Sequence, residues 1–438
     1  MRYFLLFCLL SLGCWQAARA QTPLYFPPTT GTAWTTATPA SLGWCQPQLD
    51  SVLAFAGRKH SKSLLILKDG KLVVEKYYGT YTSDSIWYWA SAGKSLTATL
   101  VGLAQQDGIL SINDSTSKYL GRWTIATKAQ QKQILLRHQL TMTTGLDDTP
   151  PAPCDNESTT AACLRYLTTP ATRWAYHTGA YRNLQNVLVA ASGATNMTQY
   201  TTQRLGTRIG MTGLWYQDVF FSRSRDMARF GLFILAKGTW NGTQVLTDTA
   251  YFRRMTHPSQ TLNRSYGYLW WLNGQPSYML PTLQFTFPGP LIPSAPADLI
   301  AALGKNDQKI YVVPSLGLVV IRQGQAAGDS KLASSSFDTE LWARLMAAFC
   351  STVTAATPAN TAGYEVFPNP SSGLFTLRQP TAQAATVRLL DALGRVAFTQ
   401  PAAPETQVSA AALAPGLYLV QWLDAAGQVL ATRRLARQ

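Results

Sequence analysis

At residues 351–363 the chain changes character, and that break limits what the whole can fold into. The run mixes Ser, Thr, Ala, Pro, Asn and Gly without periodicity, which reads as a linker between independently folding parts. Beyond it, residues 364–438 contain no Lys, His, Met or Cys and alternate short apolar runs with turn residues. Runs at 374–377, 385–390, 396–399, 417–423 and 429–435 predict strands of a small all-β, Ig-like sandwich. At 438 residues and 46% hydrophobic, the chain is long enough for two or three domains and apolar enough to bury a sizeable core.

The N-terminal end carries an address. Met1-Arg2, an apolar run over 3–15 and Ala18-Arg19-Ala20 predict a secretory signal peptide at 1–20. Cys14 as a lipid-anchor cysteine is the alternative, and Ser11-Leu12-Gly13 is a poor approach to one. No later stretch approaches the roughly 20 apolar residues of a membrane span. Export would place Cys45, Cys154, Cys163 and Cys350 in an oxidising compartment. Cys154 and Cys163 flank a short polar loop, so a local bridge is expected, and Cys45 with Cys350 would then join the start and end of the large domain. Neither these cysteines nor the four histidines show metal-ligand spacing, so no metal is expected. The formal net charge of +15 comes largely from a shortage of acids, with Lys and Arg scattered. Without a basic helix or aromatic-basic alternation, it does not indicate a nucleic-acid partner.

Residues 21–350 read as one α+β domain. An amphipathic helix is expected at 46–55, and a hairpin at 64–67 and 72–74 around Asp69-Gly70. A largely apolar helix should run over 91–106, followed by a helical, loop-rich middle. Strands return at 299–303, 309–313 and 318–322, and a helix closes the domain at 337–349. Strands at both ends suggest a sheet assembled from the two termini.

Chemistry enters at Ser91-Ala92-Gly93-Lys94. Ser and Lys three apart at a helix start share a face, so the amine can reach a hydroxyl that needs such a neighbour to become nucleophilic. Ser115-Thr116-Ser117-Lys118 has the same spacing, but with no apolar helix behind it this reads as a solvated loop. With Asp107-Gly108-Ile109-Leu110, the run from Leu136 to Leu146 and Pro170-Ala171-Thr172-Arg173-Trp174-Ala175-Tyr176-His177-Thr178, the first motif resembles the class C β-lactamase, penicillin-binding protein and esterase superfamily. Ser222 to Gly231, Tyr266-Gly267-Tyr268-Leu269-Trp270-Trp271 and Gly304-Lys305-Asn306-Asp307-Gln308 look most like its 6-aminohexanoate-dimer hydrolase branch.

The resemblance implies an antiparallel sheet flanked by helices plus a helical subdomain, and hydrolysis of small amides or carboxylic esters through an acyl-enzyme without a cofactor. Ser91 would be the nucleophile, with Lys94 and Tyr176 sharing the proton work. Backbone N–H groups of Ser91 and of Lys305, after Gly304, would form the oxyanion hole. Tyr-x-Asn reads Tyr-x-Thr here, leaving Thr178 at the substrate-binding position, and Tyr181-Arg182-Asn183 is a literal match five residues later. Ala302 stands where the family carries a cation for the substrate carboxylate, which argues against an efficient β-lactamase. Lys305 should point to the other side of the strand. His138, His177 and Trp87, Trp89, Trp270 and Trp271 read as structural groups or cleft wall. A non-catalytic penicillin- or peptide-binding relative, or a true β-lactamase or D-Ala-D-Ala peptidase, are the alternatives.

In the C-terminal part, Phe367-Pro368-Asn369-Pro370-Ser371-Ser372-Gly373, Asp391-Ala392-Leu393-Gly394-Arg395 and Leu413-Ala414-Pro415-Gly416-Leu417-Tyr418 together resemble the type IX secretion sorting domain. That implies a partner in the type IX machinery, transport across an outer membrane, and a released or surface-attached product. The alternative is a generic Ig-like accessory module.

Overall fold

The computed structural model describes residues 23–328, 334–350, 363–380, 383–391 and 396–438. The signal peptide, nearly all of the linker and most of the Asp391 to Arg395 turn lie outside them. The chain divides into two compact units, Met1–Cys350 and Ser351–Gln438.

The large unit is built on a six-stranded antiparallel sheet. Its order is Lys71–Tyr77, Ser61–Lys68, Leu318–Gly324, Gln308–Val313, Ile300–Gly304 and Trp271–Leu272. The first hairpin turns at Asp69 (φ 50°) and Gly70 (φ 84°), the left-handed pair that a two-residue turn requires. C-terminal strands insert beside the N-terminal hairpin, Leu65 opposite Ile321, so the sheet closes only after most of the unit has been made. Three central strands are buried on both faces because helices cover both. Helix Ser224–Leu235 packs on one side, and Gln46–Arg58 with Ser336–Ala348 form the other layer. Cys45 and Cys350 are joined, clasping the first of these helices to the last, and Cys154 is joined to Cys163.

Two corrections concern local structure. Ser115–Lys118 is not a loop: Ser115 precedes a short helix, Thr116–Leu120, and Lys118 pairs with Asp114 at 2.9 Å. The middle also contains a three-stranded sheet of Trp87–Tyr88, Val219–Ser222 and Leu214–Tyr216, whose strands are too short for periodicity to reveal.

Behind the turn that joins Ile300–Gly304 to Gln308–Val313 lies a buried cluster of charges. Lys309 Nζ sits 3.2 Å from Asp307 and 2.8 Å from Asp338, and Tyr311 donates to the same Asp338. Asp338 also accepts from Ser335 N at 2.8 Å, starting the closing helix. Arg322, fully buried, donates to the carbonyls of Lys59, Asn306, Asp307 and Gln325 and to Ser61 Oγ. Buried ions are tolerated only when partnered this completely.

The small unit is a sandwich of two antiparallel sheets. Glu365–Phe367, Leu374–Arg378 and Glu405–Ser409 form one, and Val396–Pro401, Thr386–Leu390, Gly416–Leu423 and Val429–Arg437 the other. Trp422 fills the core edge-on to Tyr364, with ring centroids 5.3 Å apart. Glu365–Phe367 and Glu405–Ser409 escaped the sequence pattern because one is very short and the other largely polar.

Replacing Asp338 with Ala removes a carboxylate 2.8 Å from Lys309 Nζ. The expected cost is about 3 kcal/mol of stability, read as a lower urea midpoint than that of the parent protein.

Candidate active site

The segment entering the site is fixed before it reaches Ser91. Trp87 and Tyr88 pair with Ser222 and Phe221, Trp89 N donates to Phe220 O at 2.8 Å, and the Trp89 indole N–H donates to Ser222 Oγ at 2.8 Å. Ala90 then adopts φ 47°, a left-handed conformation that costs an L-residue about 1 kcal/mol and is held here by the anchored tryptophan. The turn Ala90–Ala92 leads into helix Gly93–Gln106, buried continuously from Gly93 to Ala104.

Lys94, one turn on from Ser91, is 3% exposed and its Nζ stands 3.0 Å from Ser91 Oγ. The amine lies 5.0 Å from the ring centre of Tyr176 and 4.6 Å from that of Tyr181. Among the described residues no carboxylate comes within ion-pair distance of it. Burial therefore dominates, and its pKa is pulled down from 10.5 to about 7, with the positive charge of Arg182 adding to the fall and Glu157 opposing it. Tyr176 moves the other way: burial pushes its hydroxyl up, outweighing the opposing influence of the Ser91 hydroxyl. Its ring stacks on Trp271 at 6.0 Å and meets Tyr266 edge-on at 6.3 Å.

The two tyrosines are distinguished by their hydroxyls. Tyr181 is engaged by Thr97 at 3.0 Å and by Gln185 at 2.7 Å, whereas the acidity of Tyr176 feels the Ser91 hydroxyl. Asn183 of the literal Tyr-x-Asn donates back to Gly179 O within its own helix, Thr178–Ser192. Both histidines near the motifs serve as caps: His138 Nδ1 accepts from Leu135 N and His177 Nδ1 from Ala180 N.

Gly304 ends its strand against the turn that carries Ser91. A Cβ there would stand 2.4 Å from Trp89 O and 3.1 Å from Ala92 N, so no other residue allows this approach. Lys305 follows in a tight turn rather than in the strand, so strand alternation no longer governs it, and it lines the cavity that holds Ser91, Lys94 and Thr178. Ala302 is 1% exposed and does not line that cavity, so the strand presents no cation there. Trp89, Trp270 and Trp271 are core.

The cavity measures about 520 Å³. Its wall includes residues that motif reading missed, among them Tyr88, Glu157, Arg182, Asp218 and Phe221. Glu157 sits inside the Cys154–Cys163 loop, and Asp218 sits in a Gln217-Asp218 turn with both φ positive but no glycine to announce it. Only Arg182 stood within a quoted motif.

The beta-lactamase family model matches residues 53–220, which span Ser91, Lys94 and Tyr176, and the secretion system C-terminal sorting domain model matches residues 365–434. An uncharacterized protein of Alkalihalophilus pseudofirmus is 23% identical over 308 residues, 61% of this chain and 84% of that protein. Among solved structures, a Bacillus anthracis protein provisionally assigned as a 6-aminohexanoate-dimer hydrolase superposes with a TM-score of 0.55 at 15% identity, covering 74% of this chain and 89% of that one. A Bacteroides dorei protein provisionally assigned as a beta-lactamase gives 0.56 at 18%, and a penicillin-binding protein homologue from Caulobacter crescentus 0.52 at 12%. Each covers 70% of this chain and 99% of its own. At these identities the likeness is one of fold, the beta-lactamase and transpeptidase-like architecture of the large unit. The sorting domain marks the chain for type IX export to the cell surface or beyond it.

Lys94→Met tests the cost of the buried amine. The unfolded chain takes up the lysine proton near 10.5 and the folded one only near 7, so wild-type stability falls as pH drops through that window and levels off below it. The Met variant is expected to melt at higher temperature than wild type at pH 6–7, with the gap narrowing toward pH 10.

Proposed function

We propose that the large unit, a beta-lactamase family domain on a chain addressed for type IX export, is a serine hydrolase of small amides or carboxylic esters. In this reading Ser91 is the nucleophile, Lys94 its base and Tyr176 the proton donor to the leaving group. The observation that carries it is the pairing of Ser91 Oγ at 3.0 Å with a buried amine whose pKa falls to about 7. Such an amine is largely neutral at slightly alkaline pH and can accept a proton.

Ser91 gives its proton to Lys94 as Oγ attacks the substrate carbonyl, and the resulting oxyanion is met by the N–H groups of Ser91 and Lys305. Collapse breaks the bond to the leaving group, which takes the Tyr176 proton, and Tyr176 is replenished from the Lys94 ammonium. Water then attacks the acyl-enzyme, passing a proton back through the same pair, and Ser91 is regenerated. The upward shift of Tyr176 suits a donor that stays protonated, and the downward shift of Lys94 suits a base. A buried Ala302 in place of a strand cation favours substrates that need no carboxylate anchor there.

The test exposes the protein and Ser91→Ala to a fluorophosphonate probe and assays p-nitrophenyl esters, short amides and a chromogenic cephalosporin. Wild type should label and turn over esters or amides, with kcat/KM rising through pH 7 as Lys94 loses its proton. Ser91→Ala should lose labelling and fall by roughly 10³-fold or more. Equal labelling of the two proteins sinks the mechanism, and rapid cephalosporin turnover reassigns the substrate class.

A further inference from the structure

The loop closed by Cys154–Cys163 is seated on the start of helix Thr178–Ser192. Gly179 N donates to Asn156 O at 2.7 Å, and a Cβ on Gly179 would stand 2.0 Å from Ser158 O, so the loop lies directly on the helix backbone. From this seat it grips Arg182. The guanidinium donates to Glu157 O at 2.7 Å and to Glu157 Oε2 at 3.2 Å, while Asp218 approaches its Nε at 3.8 Å. Arg182 is thus fixed in the wall of the cavity that holds Lys94, one residue beyond the tyrosine whose ring faces the amine. Its side chain is only 22% exposed, against 56% for Glu157.

We propose that Arg182 is a positioning residue for the reaction: clamped by the bridged loop, its fixed positive charge disfavours a second cation beside it and so holds Lys94 in the proton-accepting form. The inference rests on the serine–lysine reading above. Among the described residues, the ionisable groups around Lys94 are Tyr88 and Tyr216 from the short sheet, Tyr176 from the preceding segment, Tyr181 and Arg182 from the helix, Glu157 from the bridged loop, Asp218 from the 217–218 turn and Lys305 after the strand. His177 is buried, with Nδ1 accepting from Ala180. Two like charges in a cavity with low-dielectric walls repel more than in water, and the acidic partner of the pair acts with opposite sign. Both influences on Lys94 run in those directions.

The two partners must therefore act oppositely, which a merely structural pair would not do. The experiment measures the pH dependence of kcat/KM at low salt, on whichever neutral p-nitrophenyl ester is turned over fastest, for the full chain and four variants. Arg182→Gln should move the acid limb to higher pH by roughly half a unit to one unit. Glu157→Gln should move it to lower pH, the double variant should return toward the wild-type midpoint, and Arg182→Lys should keep it. If the variants lose activity at every pH while the midpoint stays fixed, Arg182 is structural and the inference is overturned. Should the wild type itself show no acid limb between pH 5 and 9, or Ser91→Ala remain as active, the serine–lysine reading fails first and takes this inference with it.

Discussion

An ammonium ion enclosed by protein without a carboxylate is among the least favourable things a fold can contain. Lys94 is in that position, and the region around it is organised by the cost. The amine is tolerated because it surrenders its proton readily, and two aromatic faces and one serine hydroxyl are what it meets instead of water. The long buried helix behind it, the strained Ala90 and the aromatic packing around Tyr176 hold that environment in register. Loosening any of them would let in water, and a hydrated lysine would revert to an ordinary cation.

Rigidity on the opposite side comes from a different source. The turn after Gly304 is held from behind by Arg322, which donates to the carbonyls of both Asn306 and Asp307, and from the front by Asn306 Nδ2 on Tyr88 OH at 2.8 Å. Lys309, Asp307 and Asp338 tie the same turn to the start of the closing helix. The large unit thus spends two internal charge arrangements on one site. One is paired and immobilises backbone; the other has no carboxylate within ion-pair distance among the described residues, and in the proposed mechanism it is the base.

Legibility in the sequence followed the range of the forces involved. Continuous apolar runs located the central strands because both faces are buried, and the Ser-x-x-Lys spacing was visible because a helix turn brings those residues together locally. The wall residues Glu157 and Asp218 were not visible, since their approach to Arg182 depends on where a bridged loop and a glycine-free turn come to rest. The turn that carries Lys305 was not visible for a related reason. Alternation along a strand stops with the strand, and the chain bends immediately after Gly304. The strand expected at 318–322 continues to Gly324, and the Arg322 guanidinium is buried.

The clasp between Cys45 and Cys350 has a mechanical consequence. It spans 305 residues and closes at the last residue of the large unit. A protease that cuts anywhere beyond Cys350 leaves a covalent ring, and a cut close after Cys350 leaves little slack at the new terminus. Tension on that end loads the sulfur bridge and the first helix together instead of peeling the closing helix from the sheet. Were the tail removed after export, the large unit would therefore carry its own tether against fraying.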